Sequence, residues 1–238
     1  GNRYLRRAAS STQSDNTHAI IARKLPFVTN VGSRMTTFFR FRLEGGQMNH
    51  QFGVSSLDPA DPAAYTPADF ESHLRFSSVE SPGKLHLYSG LFPFGPNAFL
   101  AASHNGESLP PLANGVWHKM WMVAENTGAA SGGQKWQAYL QRPEDPAPVP
   151  LAVSLYFHPG VGAPITHFLG ISTTGEGWNF GNDAIHLDDI YAFDGVNLTD
   201  PVAPKPLPAS LSVADDAFAF GYPTETNRLV QAFSSEDL

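Results

Sequence analysis

One short segment of the chain carries three arginines, each an even number of positions from the others. Arg34, Arg40 and Arg42 occupy even positions of the run Arg34–Leu43, whose odd positions are apolar or threonine. Alternate residues of a β-strand point to opposite faces, so the arginines share one face and the apolar side chains share the other. Guanidinium groups grip carboxylates and hydroxyls through paired hydrogen bonds. We predict that this face binds an anionic or polyhydroxyl ligand. The alternative is that these long side chains cover an open sheet face and pair with nearby acids.

A glycine-rich loop carries a second set of candidate binding residues. The segment Gly175–Asp183 places Trp178, Asn179 and Phe180 among glycines. An aromatic ring suits the apolar face of a sugar, and amides suit its hydroxyl groups. We therefore predict that these three residues contact a ligand. The alternative is that the two aromatic rings pack against the end of the fold.

Composition limits the scaffold that could position these residues. The chain has 238 residues with 21 Gly, 20 Pro and no Cys, and only 16% of its residues are charged. This composition argues against a salt-bridged helical bundle, a disulfide framework and a thiolate metal site. The net charge of −7 offers no general attraction to nucleic acid or to an anionic membrane. No apolar run approaches the roughly 18 residues of a membrane span. We expect no nucleic-acid partner and no membrane span.

Period-two alternation, interrupted by Gly and Pro, predicts an all-β fold. So many short strands with turn residues between them favour an antiparallel two-sheet β-sandwich or a barrel. The predicted strands are His18–Leu25, Arg34–Leu43, Asn49–Ser56, His73–Val79, Lys84–Ser89, Ala98–Ser103, Val116–Ala124, Lys135–Gln141, Leu151–Phe157, Ile165–Ser172 and Ala184–Phe193.

The composition changes at residue 201, where prolines stand at positions 201, 204, 206 and 208. Such a run is typical of a stiff, extended linker. We predict one domain over residues 1–200, followed by a Pro-rich linker and C-terminal tail over residues 201–238. The tail is too short for a core of its own, so it packs on this domain or on a neighbouring molecule. The start of the chain has neither Met nor the apolar core of a signal peptide, so we expect a processed or trimmed terminus.

Two segments carry a family resemblance. The run Gly115–Asn126, followed by Lys135–Leu140, resembles a hairpin of laminin-G-like domains, and Ile185–Leu198 resembles their closing strand. With the strand pattern, the chain resembles the concanavalin A-like lectin/glucanase superfamily. The resemblance implies a jelly roll. It does not imply one activity, because the superfamily includes lectins, carbohydrate-binding modules, glycosidases and polysaccharide lyases.

Glycosidases of this superfamily carry a clustered E-x-D-x-x-E on one strand, which brings two carboxylates about 5 Å apart. The chain has no such cluster. Its adjacent acidic pair, Asp188 and Asp189, would point to opposite faces of a regular strand. We therefore do not expect a glycosidase. Related sandwiches often hold a structural Ca²⁺ near the closing strand, which makes Asp183, Asp188 and Asp189 candidate ligands. The alternative is hydrogen-bonded Asp residues without a metal, and no cofactor is required.

Polysaccharide lyases of the superfamily need an Arg or amide to neutralise a uronate carboxylate, and a His or Tyr for proton transfer. His86 and Tyr88 stand two apart on a predicted strand and so share a face. If the chain is a lyase, we expect His86, Tyr88 and Arg40 to form the catalytic set. The lyase motifs R-S-E-x-R and Y-F-K-x-G-x-Y are absent. The alternative is the polar face of an ordinary strand.

Taken together, these patterns predict a secreted or cell-surface, bacterial-type domain that binds a polysaccharide or glycan without catalysis. The favoured ligand is an acidic polysaccharide. One alternative is a polysaccharide lyase. The other is a structural subunit of a surface layer or fibre that self-associates through residues 201–238.

Overall fold

Nearly all of the regular structure is β-strand. The computed structural model describes residues 5–7, 18–46, 49–58, 65–77, 83–89, 98–126, 135–156, 163–173, 183–201, 211–214 and 217–220. A 3-10 turn spans Pro67–Asp69. The strands are β1 (Leu5–Arg7), β2 (His18–Thr29), β3 (Ser33–Leu43), β4 (Asn49–Ser55), β5 (Ser72–Ser77), β6 (Leu85–Ser89), β7 (Ala98–Ala101), β8 (Ser103–His104), β9 (Glu107–Ser108), β10 (Trp117–Asn126), β11 (Lys135–Gln141), β12 (Val149–Tyr156), β13 (Ile165–Thr173), β14 (Ile185–Asp194), β15 (Leu211–Ala214) and β16 (Ala217–Phe220).

Most of these strands form two six-stranded sheets. The first sheet has the order β1-β14-β3-β10-β11-β12, and the second has the order β2-β13-β4-β5-β6-β7. Every pairing in both sheets is antiparallel. Two short hairpins, β8-β9 and β15-β16, complete the described strands. The prediction of an antiparallel two-sheet sandwich is confirmed.

The core lies between the two sheets and is rich in phenylalanine. On β3 the odd residues Met35, Phe39, Phe41 and Leu43 are fully buried, as the alternation predicts. The Phe39 ring lies 6.0 Å from Phe52 and 5.9 Å from Phe168, both on the second sheet. Burial of aromatic side chains from both sheets therefore holds the sheets together.

Strand β2 runs past the predicted end at Leu25 and continues through Pro26 to Thr29, so that predicted bound was wrong. Pro cannot donate to a ladder of hydrogen bonds, but an edge strand tolerates it. Strand β2 is an edge strand, and its pairing with β13 shifts register between Lys24 and Thr29. The irregularity at this edge accommodates the proline.

The segment after β14, residues 195–201, lies against the outer face of the first sheet, and we call it the strap. Trp121 Nε1 donates to the Thr199 carbonyl at 3.3 Å, and Lys119 pairs with Asp200 at 2.7 Å. The Thr36 hydroxyl donates to the Gly195 carbonyl at 2.8 Å. Leu198 packs against a buried cluster that includes Trp121. The strap therefore covers part of the outer face of the first sheet.

No helix in the described part of the chain is long and apolar enough to cross a membrane.

Candidate functional site

The three predicted arginines lie on the outer face of the first sheet, where each meets a partner within the protein. Arg34 pairs with Glu125 at 3.2 Å, and both side chains are largely exposed. Arg40 contacts Asp188 at 2.9 Å and Asp189 at 2.6 Å. Arg42 donates to His186 Nδ1 at 2.8 Å. The contacts of Arg34 and Arg40 match the alternative in which the arginines pair with nearby acids, whereas Arg42 contacts a histidine. Their role in ligand binding stays a prediction.

Asp188 and Asp189 share one face, because β14 contains a bulge. Asp188 lies opposite Arg40 and Tyr191 lies opposite Phe38, so three steps on β14 match two steps on β3. Asp189 has a φ of 50°, and both carboxylates reach Arg40. The expectation of opposite faces was wrong, because it assumed a regular pleat. Burial raises the pKa of Asp189, as do Asp188 and Asp200, whereas Arg40 lowers it.

The predicted Ca²⁺ ligands divide between two places. Asp183 lies against Gly45, where a Cβ atom would fall 2.1 Å from its carboxylate oxygen. Asp188 and Asp189 are occupied by Arg40. Across the described ranges, no three His, Asp or Glu side chains form a group that could hold a metal. The Ca²⁺ site stays a prediction. Trp178, Asn179 and Phe180 lie outside the described residues.

The outer face of the second sheet carries a continuous set of polar and aromatic side chains. Because Leu74, Phe76, Leu85 and Leu87 point into the core, the residues between them point outward. We call this outward set, contributed by four adjacent strands, the polar face. It comprises Asn49 and Gln51 on β4; His73, Arg75 and Ser77 on β5; His86 and Tyr88 on β6; and Phe99 on β7.

Strand register places the key members of the polar face side by side. Gln51 lies opposite Arg75, and Arg75 lies opposite His86. In the next row, Tyr88 lies opposite Phe99. Directly opposed side chains have Cβ atoms about 5 Å apart. An amide, a guanidinium and an imidazole therefore form one cross-strand row, with a phenol in the next.

Two contacts fix the Arg75 guanidinium. Its Nε donates to Asn49 Oδ1 at 2.8 Å. Its Cζ lies 4.6 Å from the centre of the Phe99 ring. A guanidinium held by an amide on one side and an aromatic face on the other is pre-oriented for a carboxylate. Arg75 and Phe99 are half-buried, whereas His86 and Tyr88 are only 4% and 3% exposed.

Two rings of the polar face, those of His73 and Tyr88, form a stack with Phe70 beside it. His73 lies between Phe70 and Tyr88, with ring centroids 4.5 Å and 4.4 Å away. Phe70 belongs to a buried cluster with Leu169 and Ile171 of β13. The segment that contains Phe70 therefore packs on the outer face of the second sheet and forms one wall of the polar face.

A buried carboxyl lies at the end of this wall. Glu71 is 4% exposed, and its Oε1 accepts a hydrogen bond from the Ser56 hydroxyl at 2.5 Å. Its Oε2 has no hydrogen-bond partner in the described part of the chain. Burial raises the pKa of Glu71, and the bond from Ser56 opposes that rise. The side chain is thus a protonatable group in a dry environment.

The structure rearranges the predicted catalytic set. His86 and Tyr88 share the polar face, as predicted, but Arg40 lies on the outer face of the other sheet. The sequence patterns did not single out Gln51, His73 and Arg75. Their period-two spacing within two predicted strands was visible, but the sequence does not say which strands are neighbours.

No family model matches the chain, and no curated protein is similar to it. Among solved structures, the chain is similar to a PL-14 alginate lyase from Aplysia kurodai, with 10% identity and a TM-score of 0.50 over 80% of this chain and 82% of that one. It is also similar to a GH131 β-glucanase catalytic domain from Podospora anserina, with 10% identity and a TM-score of 0.49 over 82% of this chain and 73% of that one. A third is arcelin-5, a lectin-like defence protein from Phaseolus vulgaris, with 10% identity and a TM-score of 0.45 over 80% and 86%. At such identities a likeness concerns the fold alone, and the chain has the concanavalin A-like jelly-roll fold.

Proposed function

We propose that the chain is a polysaccharide lyase that binds a uronate-containing polysaccharide on the polar face. One observation carries the proposal: Arg75 and His86 lie directly opposite each other on neighbouring strands, with Gln51 beside Arg75. Tyr88 follows two residues after His86 on the same face. A fixed cation, an amide and two proton-transfer groups are the parts that β-elimination from a uronate requires.

The proposed reaction breaks the bond from C4 to the glycosidic oxygen. A basic side chain takes the proton from C5, and the electron pair of the C5–H bond forms a C4–C5 double bond. The electron pair of the C4–O bond departs with the glycosidic oxygen. The glycosidic oxygen leaves with a proton from an acidic side chain. The products are an unsaturated uronate and a new reducing end, and the reaction as written needs no cofactor.

Five members of the polar face have a role in this scheme. Arg75, with Gln51 beside it, neutralises the uronate carboxylate and so makes the C5 proton more acidic. Asn49 holds Arg75 in place. His86 and Tyr88 carry out the proton transfers. Removing one electrostatic donor of this kind costs on the order of 10²–10³ in kcat, and removing a general acid or base costs on the order of 10²–10⁴.

The fold is compatible with this reaction, since the Aplysia kurodai protein that shares it is an alginate lyase. The net charge of −7 offers no general attraction to an anionic polymer, so local positive charge such as that of Arg75 has to supply it. Uronate polysaccharides are outside the cell, so the proposal includes a secreted or cell-surface location.

The test is to incubate the protein with alginate and with glucuronan and to follow the ultraviolet absorbance of the unsaturated product. We expect product from at least one polymer, and a loss of at least about a hundredfold in Arg75→Gln. The matched control is Lys119→Gln, which removes one positive charge from the opposite side of the sandwich and should retain activity. No product from any uronate polymer, or equal losses in both variants, would refute the lyase proposal.

A second candidate is binding without catalysis on the same face. The observation that favours it is the low exposure of His86 and Tyr88 beside the half-buried Arg75 and Phe99. A polymer held by the more accessible pair would not reach the proton-transfer groups. Calorimetry separates the two candidates: binding that Arg75→Gln abolishes, with no unsaturated product from the wild type, supports binding alone.

A further inference from the structure

Tyr88 is held in an aromatic stack that begins outside its own strand. The planes of Phe70 and His73 differ by 27°, and those of His73 and Tyr88 differ by 21°. Phe99 presents its edge at interplanar angles of 74° to His73 and 73° to Tyr88. Phe70, His73 and Tyr88 are all at most 3% exposed. Of these rings, His73 alone contacts the other three.

Backbone features fix the position of His73. It lies opposite Gly53 on β4, where a Cβ atom would come within 1.9 Å of the Ser72 carbonyl oxygen and 2.7 Å of the His73 Cβ. Only the absence of a side chain at residue 53 lets the two strands approach this closely. His73 therefore stands beside a position without a side chain, and its ring lies between Phe70 and Tyr88.

The wall that carries Phe70 is anchored independently of β6. The Tyr65 hydroxyl donates to the Leu57 carbonyl, and the Ser55 hydroxyl donates to the Asp69 carbonyl, each at 2.7 Å. Thr66 and Asp69 cap the short 3-10 turn between them. Phe70 is thus held in place, and through the stack it limits the movement of His73 and Tyr88.

We propose that His73 is a positioning residue that fixes the ring of Tyr88 by stacking between it and Phe70. The expected effect of His73 on turnover rests on the proposed function. The expected effect of His73 on the position of the Tyr88 ring does not. Displacing a reacting group by about 1 Å costs on the order of a hundredfold in rate. Stacking restricts the phenol to one plane, which is what a proton transfer from or to its oxygen requires.

The test compares His73→Ala, which removes the stack, with His73→Phe, which keeps a flat aromatic ring. Tyr88 ring resonances are assigned with Tyr88→Phe and recorded by NMR in each variant. We expect the part of the Tyr88 ring-current shift that comes from residue 73 to be lost in His73→Ala and retained in His73→Phe, whereas the part that comes from Phe99 stays in both. We also expect kcat to fall by about tenfold to a hundredfold in His73→Ala with KM unchanged, and to stay near wild type in His73→Phe.

Met122→Ala is the control for general destabilisation, because Met122 is buried in the first sheet and away from the polar face. It should lower stability without changing Tyr88 resonances or the kcat of folded protein. Unchanged Tyr88 resonances in His73→Ala, or equal losses in His73→Phe and His73→Ala, overturn the inference. If the wild type makes no unsaturated product, the proposed function fails, and the NMR comparison still decides whether His73 positions Tyr88.

Discussion

Replacing Arg40 tests whether the arginines of the first sheet stabilise the fold through their ion pairs. The Arg40 side chain is 29% exposed and bridges Asp188 and Asp189, which are 17% and 36% exposed. In Arg40→Gln, two carboxylates on one face lose their shared counter-charge. Hydrogen bonds to charged groups contribute about 1.5–3 kcal/mol when partly buried. We therefore expect Arg40→Gln to lower the free energy of unfolding by about 2–3 kcal/mol at neutral pH.

Arg34→Gln provides the matched comparison, because Arg34 and Glu125 are 55% and 39% exposed. Exposed ion pairs contribute about 0–1 kcal/mol, and salt screens them. We expect Arg34→Gln to cost no more than about 0.5 kcal/mol. At this chain length each kcal/mol corresponds to about 2–4 °C in Tm, so the two variants should differ clearly.

The assay is urea unfolding of both variants and the wild type at neutral and acidic pH. The cost of Arg40→Gln should shrink on acidification, because protonated carboxyls no longer need Arg40. Asp189 should protonate early, since burial raises its pKa. Equal costs for the two variants at neutral pH, or a cost of Arg40→Gln that does not depend on pH, would refute the reasoning.

Three further changes probe buried groups. Burial raises the pKa of Glu71, so its stabilising contribution is present below its unfolded pKa and is lost as the pH rises through the folded pKa. In urea titrations, Glu71→Gln should therefore be more stable than wild type at alkaline pH and no more stable at acidic pH. Burial lowers the pKa of His118 below 6.5, so the stabilising contribution of its neutral form is lost as the pH falls below that value. Between neutral and mildly acidic buffer, the Tm of His118→Phe should therefore drop less than that of the wild type. Gly53→Ala forces a Cβ against the Ser72 carbonyl; calorimetric unfolding should show a loss of about 1–3 kcal/mol, and an unchanged Tm would contradict the close approach.

Alternation within single strands was predictable from sequence. The bounds of β11 are those predicted, and the inner and outer residues of β3 are as predicted, because burial of one face imposes a period of two. The order of strands in a sheet was not predictable, since it depends on long-range pairing. Arg75 and His86 lie on different strands, and it is the pairing of β5 with β6 that brings them together.

Departures from regular geometry also escaped prediction. Asp188 and Asp189 look like a pair divided between two faces until the bulge is known. Pro26 looks like a strand end until β2 is known to be an edge. In both cases the deciding contact comes from a strand distant in sequence, so a local pattern cannot contain it.

The bulge in β14 has a consequence for insertions and deletions. Ile185 and Leu187 point into the core before it, and Ile190 and Ala192 point into the core after it. Deleting Asp189 would leave these four residues in strict alternation, with their side chains still facing inward. In a strand paired on both sides, gaining or losing one residue normally exchanges the two faces. At Asp189 the loss of one residue instead removes the bulge, so β14 can shorten there without its core residues being replaced.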